Sequence, residues 1–277
     1  MSNFTNFIIS IFLLVIVIPY SSPVLAKEAA TLDNRHIKKV LLVIAMDTEA
    51  QPIISALHLH KMTQKLSDLP MQGYIGKYSN LNILLVTNGL DPVNRVQNVG
   101  TQAAVLSAYV GIEFFHPDLV INIGTAGGIE ENGAKLKQIY VSKKIYFYDR
   151  RIALKGYREY GLGGYKSLDI SSVDKKIGLQ SGIVCSGDSF DDNHTDYKML
   201  LKLHCSVADM EAAGVAWVSM LTKTPMISIK GITNFVKGAE IHEQYKSNIP
   251  VVTSALSKKL EELLKYFSLG LQRDSQH

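Results

Sequence analysis

The chain has only two cysteines, Cys185 and Cys205, and no CxxC pair. It has no HExxH stretch, and its eight histidines lack zinc-like spacing, so the sequence carries no metal-ligand pattern. No G-x-G-x-x-G turn and no Gly-Lys-Ser/Thr phosphate loop follow any apolar run, which argues against dinucleotide and P-loop sites. No resident cofactor is expected. The net charge is a modest +4 and the basic residues are scattered, so a nucleic-acid partner is not expected either. Nothing repeats internally.

Charge is also missing from residues 1–26. Phe7–Ile18 (FIISIFLLVIVI) is apolar but for Ser10, short for a membrane span and suited to the central region of a signal peptide. Val24-Leu25-Ala26 offers a cleavage site after Ala26, so export to a periplasmic or extracellular location is expected. No Lys or Arg stands near Met1, and an uncleaved membrane anchor is the alternative. Export would permit a disulfide between the two cysteines, but spacing alone does not show that they meet, and two buried thiols are expected.

Residues 27–39 read as a polar link and 40–271 as one domain of alternating α/β pattern. Val40–Ala45 (VLLVIA) suits a strand buried on both faces. A helix follows through Ile53, Ile54, Leu57 and Leu59; Gly73–Tyr78 and Leu81–Thr87 read as strands. A helix over Asn98–Phe115 has Ala103, Leu106, Val110 and Phe114 on helical spacing. The strand Leu119–Ile123 runs into Gly124-Thr125-Ala126-Gly127-Gly128, where glycine serves a tight turn or a close backbone approach. Further strands are expected at Ile139–Tyr148 and Gly182–Ser186, and an amphipathic helix at about Val251–Leu271.

The stretch Val207–Val236 is the most informative. Asp209 and Glu211 flank Met210 ahead of the small, apolar run AAGVAWVSML, and the strand Met226–Ile232 empties into Thr233-Asn234. The acids either favour a helix's positive end or serve a ligand. Glu49, Thr125, Phe190, Glu211 and Asn234 all fall at strand ends, where open α/β sheets bind ligands.

Seven segments together resemble the nucleoside phosphorylase superfamily, and most of all the plant-type 5′-methylthioadenosine/S-adenosylhomocysteine nucleosidases. They are AMDTEAQP (45–52), NVGTQAA (98–104), PDLVINIGTAGG (117–128), FYDRRI (147–152), SGDSFD (186–191), DMEAAGVAW (209–217) and IKGITNFVKG (229–238). The resemblance implies a three-layer α/β/α sandwich with a twisted mixed central sheet, a homodimer, and hydrolysis of the N-ribosidic bond of a purine nucleoside in methionine salvage. It makes Glu49 the base that activates water, and Glu211 the acceptor for the ribose hydroxyls above Met210. Phe190 and Asp191 would adjoin the purine, Thr125 and Gly127 the sugar side, and Thr233 and Asn234 the base. One position departs from the pattern: Asn234 stands where these nucleosidases carry a proton-donating Asp, and Lys237 where a second Asp is common. Asp188 and Asp191 are the nearest replacement acids by motif. Two alternatives follow: a purine-binding or storage-type relative without activity, and a phosphorylase or nucleosidase for 6-oxopurine nucleosides.

Overall fold

The computed structural model describes residues 37–191 and 193–274, so the expected signal segment and most of the polar link lie outside the described residues. Among the described residues, ten strands form one mixed sheet. In chain order they are β1 (Lys39–Ile44), β2 (His60–Lys61), β3 (Gln72–Tyr78), β4 (Leu81–Thr87), β5 (Leu119–Gly128), β6 (Ile139–Phe147), β7 (Gly163–Lys166), β8 (Gln180–Ser186), β9 (Val207–Asp209) and β10 (Met226–Phe235). The helices are α1 (Asp47–Ala56), α2 (Thr101–Phe115), α3 (Tyr157–Leu162), α4 (His194–Lys202), α5 (Ala212–Thr222) and α6 (Ile241–Asp274).

Alternation along β1 explains the layers. Leu42 and Ile44 belong to a core shared with Ile53 of α1 and Leu256, Leu260 and Phe267 of α6. Leu41 and Val43 belong to a second core with Ala104 and Ala108 of α2 and Ala212 to Ala216 of α5. Successive side chains of a strand point to opposite faces, so a strand apolar from Val40 to Ile44 needs helices on both. The architecture is the expected α/β/α sandwich.

The sheet order is β10-β6-β8-β9-β5-β1-β4-β3-β2, with β7 on β6. β10 also pairs in parallel with β5, so β5, β10, β6, β8 and β9 close into a ring beside the open remainder. The ring brings the ends of β5, β8, β9 and β10 together, and these ends carry the site.

Four expectations change. The Gly124–Gly128 stretch is not a turn but the end of β5, and its glycines serve close approach. A Cβ at Gly127 would lie 2.7 Å from Val236 Cγ2, and one at Gly128 2.9 Å from Ile232 Cγ2. On α2 the buried face is Ala104, Ser107, Ala108, Gly111, Ile112 and Phe115, while Leu106 and Phe114 are exposed. Close packing decides this, because a Cβ at Gly111 would meet Leu41 Cδ1 at 2.9 Å and one at Gly214 of α5 would meet the Thr101 carbonyl at 2.6 Å. The last helix begins at Ile241 rather than Val251 and continues through Pro250. Tertiary bonds fix its early turns: Phe235 N–H donates to Gln244 Oε1 at 3.0 Å, and Asn248 Nδ2 donates to the Thr233 carbonyl at 2.8 Å. Finally, Cys185 and Cys205 are bonded as a disulfide, their Cα atoms 5.9 Å apart. Strand β8 and the turn after α4, distant in sequence, meet beside β9.

Candidate active site

Glu49 enters from the first turn of α1, directly after β1, and is 5 % exposed. Thr125 on β5 gives it two donors, the backbone N–H at 2.7 Å and the hydroxyl at 2.5 Å, both to Oε1. Gly124 makes room, since a Cβ there would stand 3.1 Å from Glu49 Oε2. Burial raises the Glu49 pKa, and the Thr125 bonds and the charge of Lys230 only partly oppose it.

The two acids of DMEAA separate into different roles. Asp209 ends β9 and accepts from the Ala212 N–H at 2.9 Å, from the Ser186 hydroxyl, and from Lys230 Nζ at 2.7 Å. It caps α5 and answers a buried cation. Glu211 sits just ahead of α5, 3.6 Å from the same Nζ, and accepts the Gly100 N–H at 3.3 Å. Burial first, then repulsion from Asp209 and Glu49, pushes its pKa up to about 7 against the pull of Lys230.

A cavity of about 410 Å³ joins these groups. Glu49, Thr125, Gly127, Phe190, Asp191, Met210, Glu211 and Asn234 all line it. Thr233 does not: it is fully buried, and its hydroxyl donates to Asn234 Oδ1 at 2.9 Å. Asn234 Nδ2 in turn donates to the Phe235 carbonyl at 3.0 Å, which fixes the sense of the amide. Thr233 holds Asn234 in place instead of lining the cavity itself. Asp188 is also engaged elsewhere, accepting from Thr101 N–H at 2.6 Å and Thr101 Oγ1 at 2.8 Å to cap α2. Asp191 is thus the acid of that motif that lines the cavity.

Several residues in and behind the cavity wall went unnoticed in the sequence. Lys230 had a signal, being a lone charge in the otherwise uncharged strand MISIKGITNF; a lysine 1 % exposed needs opposite charge beside it. His242 and Tyr245 come from the start of α6, where no helix was expected. The imidazole stacks on Phe190 with centroids 5.4 Å apart, and the Tyr245 ring meets Phe190 edge-on at 5.3 Å. Burial, with Glu49 and Glu211 nearby, pushes the Tyr245 hydroxyl up to about 12.

The family described as "Phosphorylase superfamily" matches residues 39–265. A 5′-methylthioadenosine/S-adenosylhomocysteine nucleosidase of Arabidopsis thaliana is 34% identical over 239 residues, 85% of this chain and 94% of that relative. The solved apo structure of the Arabidopsis thaliana 5′-methylthioadenosine nucleosidase superposes with a TM-score of 0.82 at 32% identity, covering 84% of this chain and 97% of that one. The chain belongs to the 5′-methylthioadenosine/S-adenosylhomocysteine nucleosidase family of the phosphorylase superfamily. Futalosine hydrolase of Helicobacter pylori shares the fold at a TM-score of 0.70 and 17% identity.

Kinship with these nucleosidases supports hydrolysis of a nucleoside's N-ribosidic bond as the class of reaction. Its cavity suits that class of reaction. Buried carboxylates supply a proton acceptor and negative charge for a cationic sugar, while aromatic rings and an amide offer a surface for a flat heterocycle.

Proposed function

We propose that this nucleosidase hydrolyses 5′-methylthioadenosine and S-adenosylhomocysteine-like nucleosides to adenine and the thio-substituted ribose. The observation that carries the reading is that Glu49 and Glu211, both buried and both of raised pKa, face one cavity also lined by Phe190 and Asn234. Water attacks C1′ as the bond to the purine lengthens, so positive charge builds on the sugar and negative charge on the base. Glu49 takes the water's proton. Glu211 accepts the ribose hydroxyls, an interaction that strengthens as the ring becomes cationic. Asn234 has no proton to transfer, so the departing base takes its proton from solvent, while the amide's free N–H can donate to purine N7 and its oxygen accept from N6. The tether to Thr233 and Phe235 leaves one Nδ2 hydrogen and one Oδ1 lone pair free for that pairing.

The proposal extends to assembly and location. Leu106 and Tyr109 on α2 and Met220 and Leu221 on α5 are large, apolar and exposed, which supports a homodimer through this face. The Cys185–Cys205 disulfide supports export through the N-terminal segment, because such bonds persist in oxidising compartments. Asn234 favours one competing reading, a purine-binding protein without turnover.

Incubating the pure protein with methylthioadenosine, adenosine or inosine, each with and without phosphate, tests the assignment. Free adenine from methylthioadenosine, independent of phosphate, is the expected result. Phosphate-dependent release, release from inosine alone, or no release would each overturn it.

A further inference from the structure

The disulfide stands where the two halves of the cavity wall meet. Cys185 lies in β8, paired on one side with Tyr146 of β6 and on the other with Ala208 of β9, and is fully buried. Cys205, equally buried, follows α4 and precedes the three-residue strand β9 by one residue. The intervening segment contributes Ser189, Phe190, Asp191, Asp196 and Leu200 to the cavity, on the side assigned to the base. On the other side of Cys205, β9 leads straight to Met210 and Glu211, on the side assigned to the ribose. One covalent link thus joins both walls to a strand held by neighbours on either side.

That link has unusual leverage. The cysteines share a small third core with Tyr148, Tyr197 and Leu200, while the main cores on the two sheet faces do not include them. A small core holds the segment after β8 weakly, while the β9–α5 junction also enters a main core through Val207, Ala212 and Ala213. A disulfide restricts how far such a segment can open.

We infer that the Cys185–Cys205 disulfide is a positioning pair for the cavity, so that nucleoside binding depends on oxidation. With the bond formed, the segment after β8 and the β9–α5 junction hold Phe190, Met210 and Glu211 in register. Reduction adds two electrons and two protons from a dithiol such as dithiothreitol, which is itself oxidised, and leaves two thiols. The main cores keep the sheet and α5 folded while the wall after β8 loosens most and Met210 and Glu211 lose their covalent tie to it. The inference rests on the purine nucleoside reading of this cavity and adds a condition to it.

The test compares oxidised protein, protein reduced with dithiothreitol, and the Cys185→Ala/Cys205→Ala variant, using adenine as the probe. The reduced and variant forms should keep their far-ultraviolet circular dichroism and a cooperative melt. Adenine should bind them about five- to 150-fold more weakly, with KM for methylthioadenosine raised more than kcat is lowered. Amide exchange should quicken in segments 186–204 and 205–211 before it does in β1 or β4. Linkage requires the reciprocal effect: saturating adenine should shift the dithiothreitol equilibrium toward the disulfide by the same factor. A folded reduced protein that binds adenine as tightly as the oxidised one overturns the inference. So does global unfolding on reduction, which would make the bond a staple of the whole fold. If oxidised protein does not bind adenine, the purine reading fails, and the exchange comparison still decides whether the disulfide governs the wall.

Discussion

The amine of Lys230 lies 2.7 Å from the carboxylate of Asp209, and both side chains are enclosed, at 1% and 0% exposure. Glu211 shares this cation at the longer distance of 3.6 Å. A buried ion whose partner is removed suffers the full cost of desolvation. Replacing Lys230 with Met should therefore destabilise the protein by about 3–5 kcal/mol in urea unfolding, with Asp209 and Glu211 left unanswered. Lys230→Arg restores the charge and should lose distinctly less. Equal stability of Lys230→Met and wild type would mean that the two acids are already protonated.

Glu211 gives a pH signature of opposite sign to an ordinary ion-paired acid. Its pKa is raised from 4.5 to about 7, so between those values the folded state binds the proton that the unfolded chain has released. The contribution to stability is present in full below the unfolded value and is lost as pH rises through about 7. Glu211→Gln should flatten that fall when unfolding free energy is measured from pH 4 to 8. The same variant should weaken both nucleoside binding and turnover, because the ribose contact exists in ground and transition states alike. A variant with unaltered binding and rate would return Glu211 to a purely structural place at the head of α5.

How much of this was legible in the sequence depends on range. VLLVIA and the strand after Pro225 announce themselves because a strand buried on both faces must be apolar at nearly every position. The five residues gathered at strand ends follow from the α/β pattern and the resemblance, and the cavity brings all of them together. What failed was non-local. The ring through β10, β6, β8, β9 and β5 is a matter of pairing, which periodicity does not encode. The α2 face was misjudged because Gly111 and Gly214 allow close packing, so small residues, not large ones, face inward. Thr233 and Asp188 look like ligand groups in sequence, yet one orients Asn234 and the other caps α2.

Glu49 offers the cleanest separation of chemistry from binding. Its Oε1 accepts both Thr125 donors, and an amide oxygen at the same position can accept them too. Glu49→Gln should keep the geometry of the site and lose the base that takes the water's proton. Adenine binding measured by calorimetry should stay near wild type while release of base from methylthioadenosine becomes undetectable. An active Glu49→Gln enzyme would place the water-activating group elsewhere.

Asn234 holds an amide where a proton donor would speed departure of the base. The position is 3 % exposed, with the Thr233 hydroxyl on its oxygen and the Phe235 carbonyl on its nitrogen. An Asn234→Asp substitution puts a carboxyl into that frame. Burial favours its neutral form, and so does the Phe235 carbonyl, which accepts a bond from a protonated acid and repels an ionised one; the Thr233 hydroxyl pulls the other way. A protonated carboxyl here can give N7 a proton as the base departs, a contribution of about a hundred- to ten-thousandfold in general. The rate of methylthioadenosine cleavage should rise about tenfold or more, the gain being largest at low pH and fading as the new carboxyl ionises. Single-turnover rates from pH 5 to 9 for both forms provide the measurement. A fast wild type that Asn234→Asp leaves unchanged or slows would mean that the amide is matched to a different base, and hypoxanthine is the one to try next. If neither form turns over while both bind adenine, the cavity is a purine-binding site that has given up its chemistry at this one side chain.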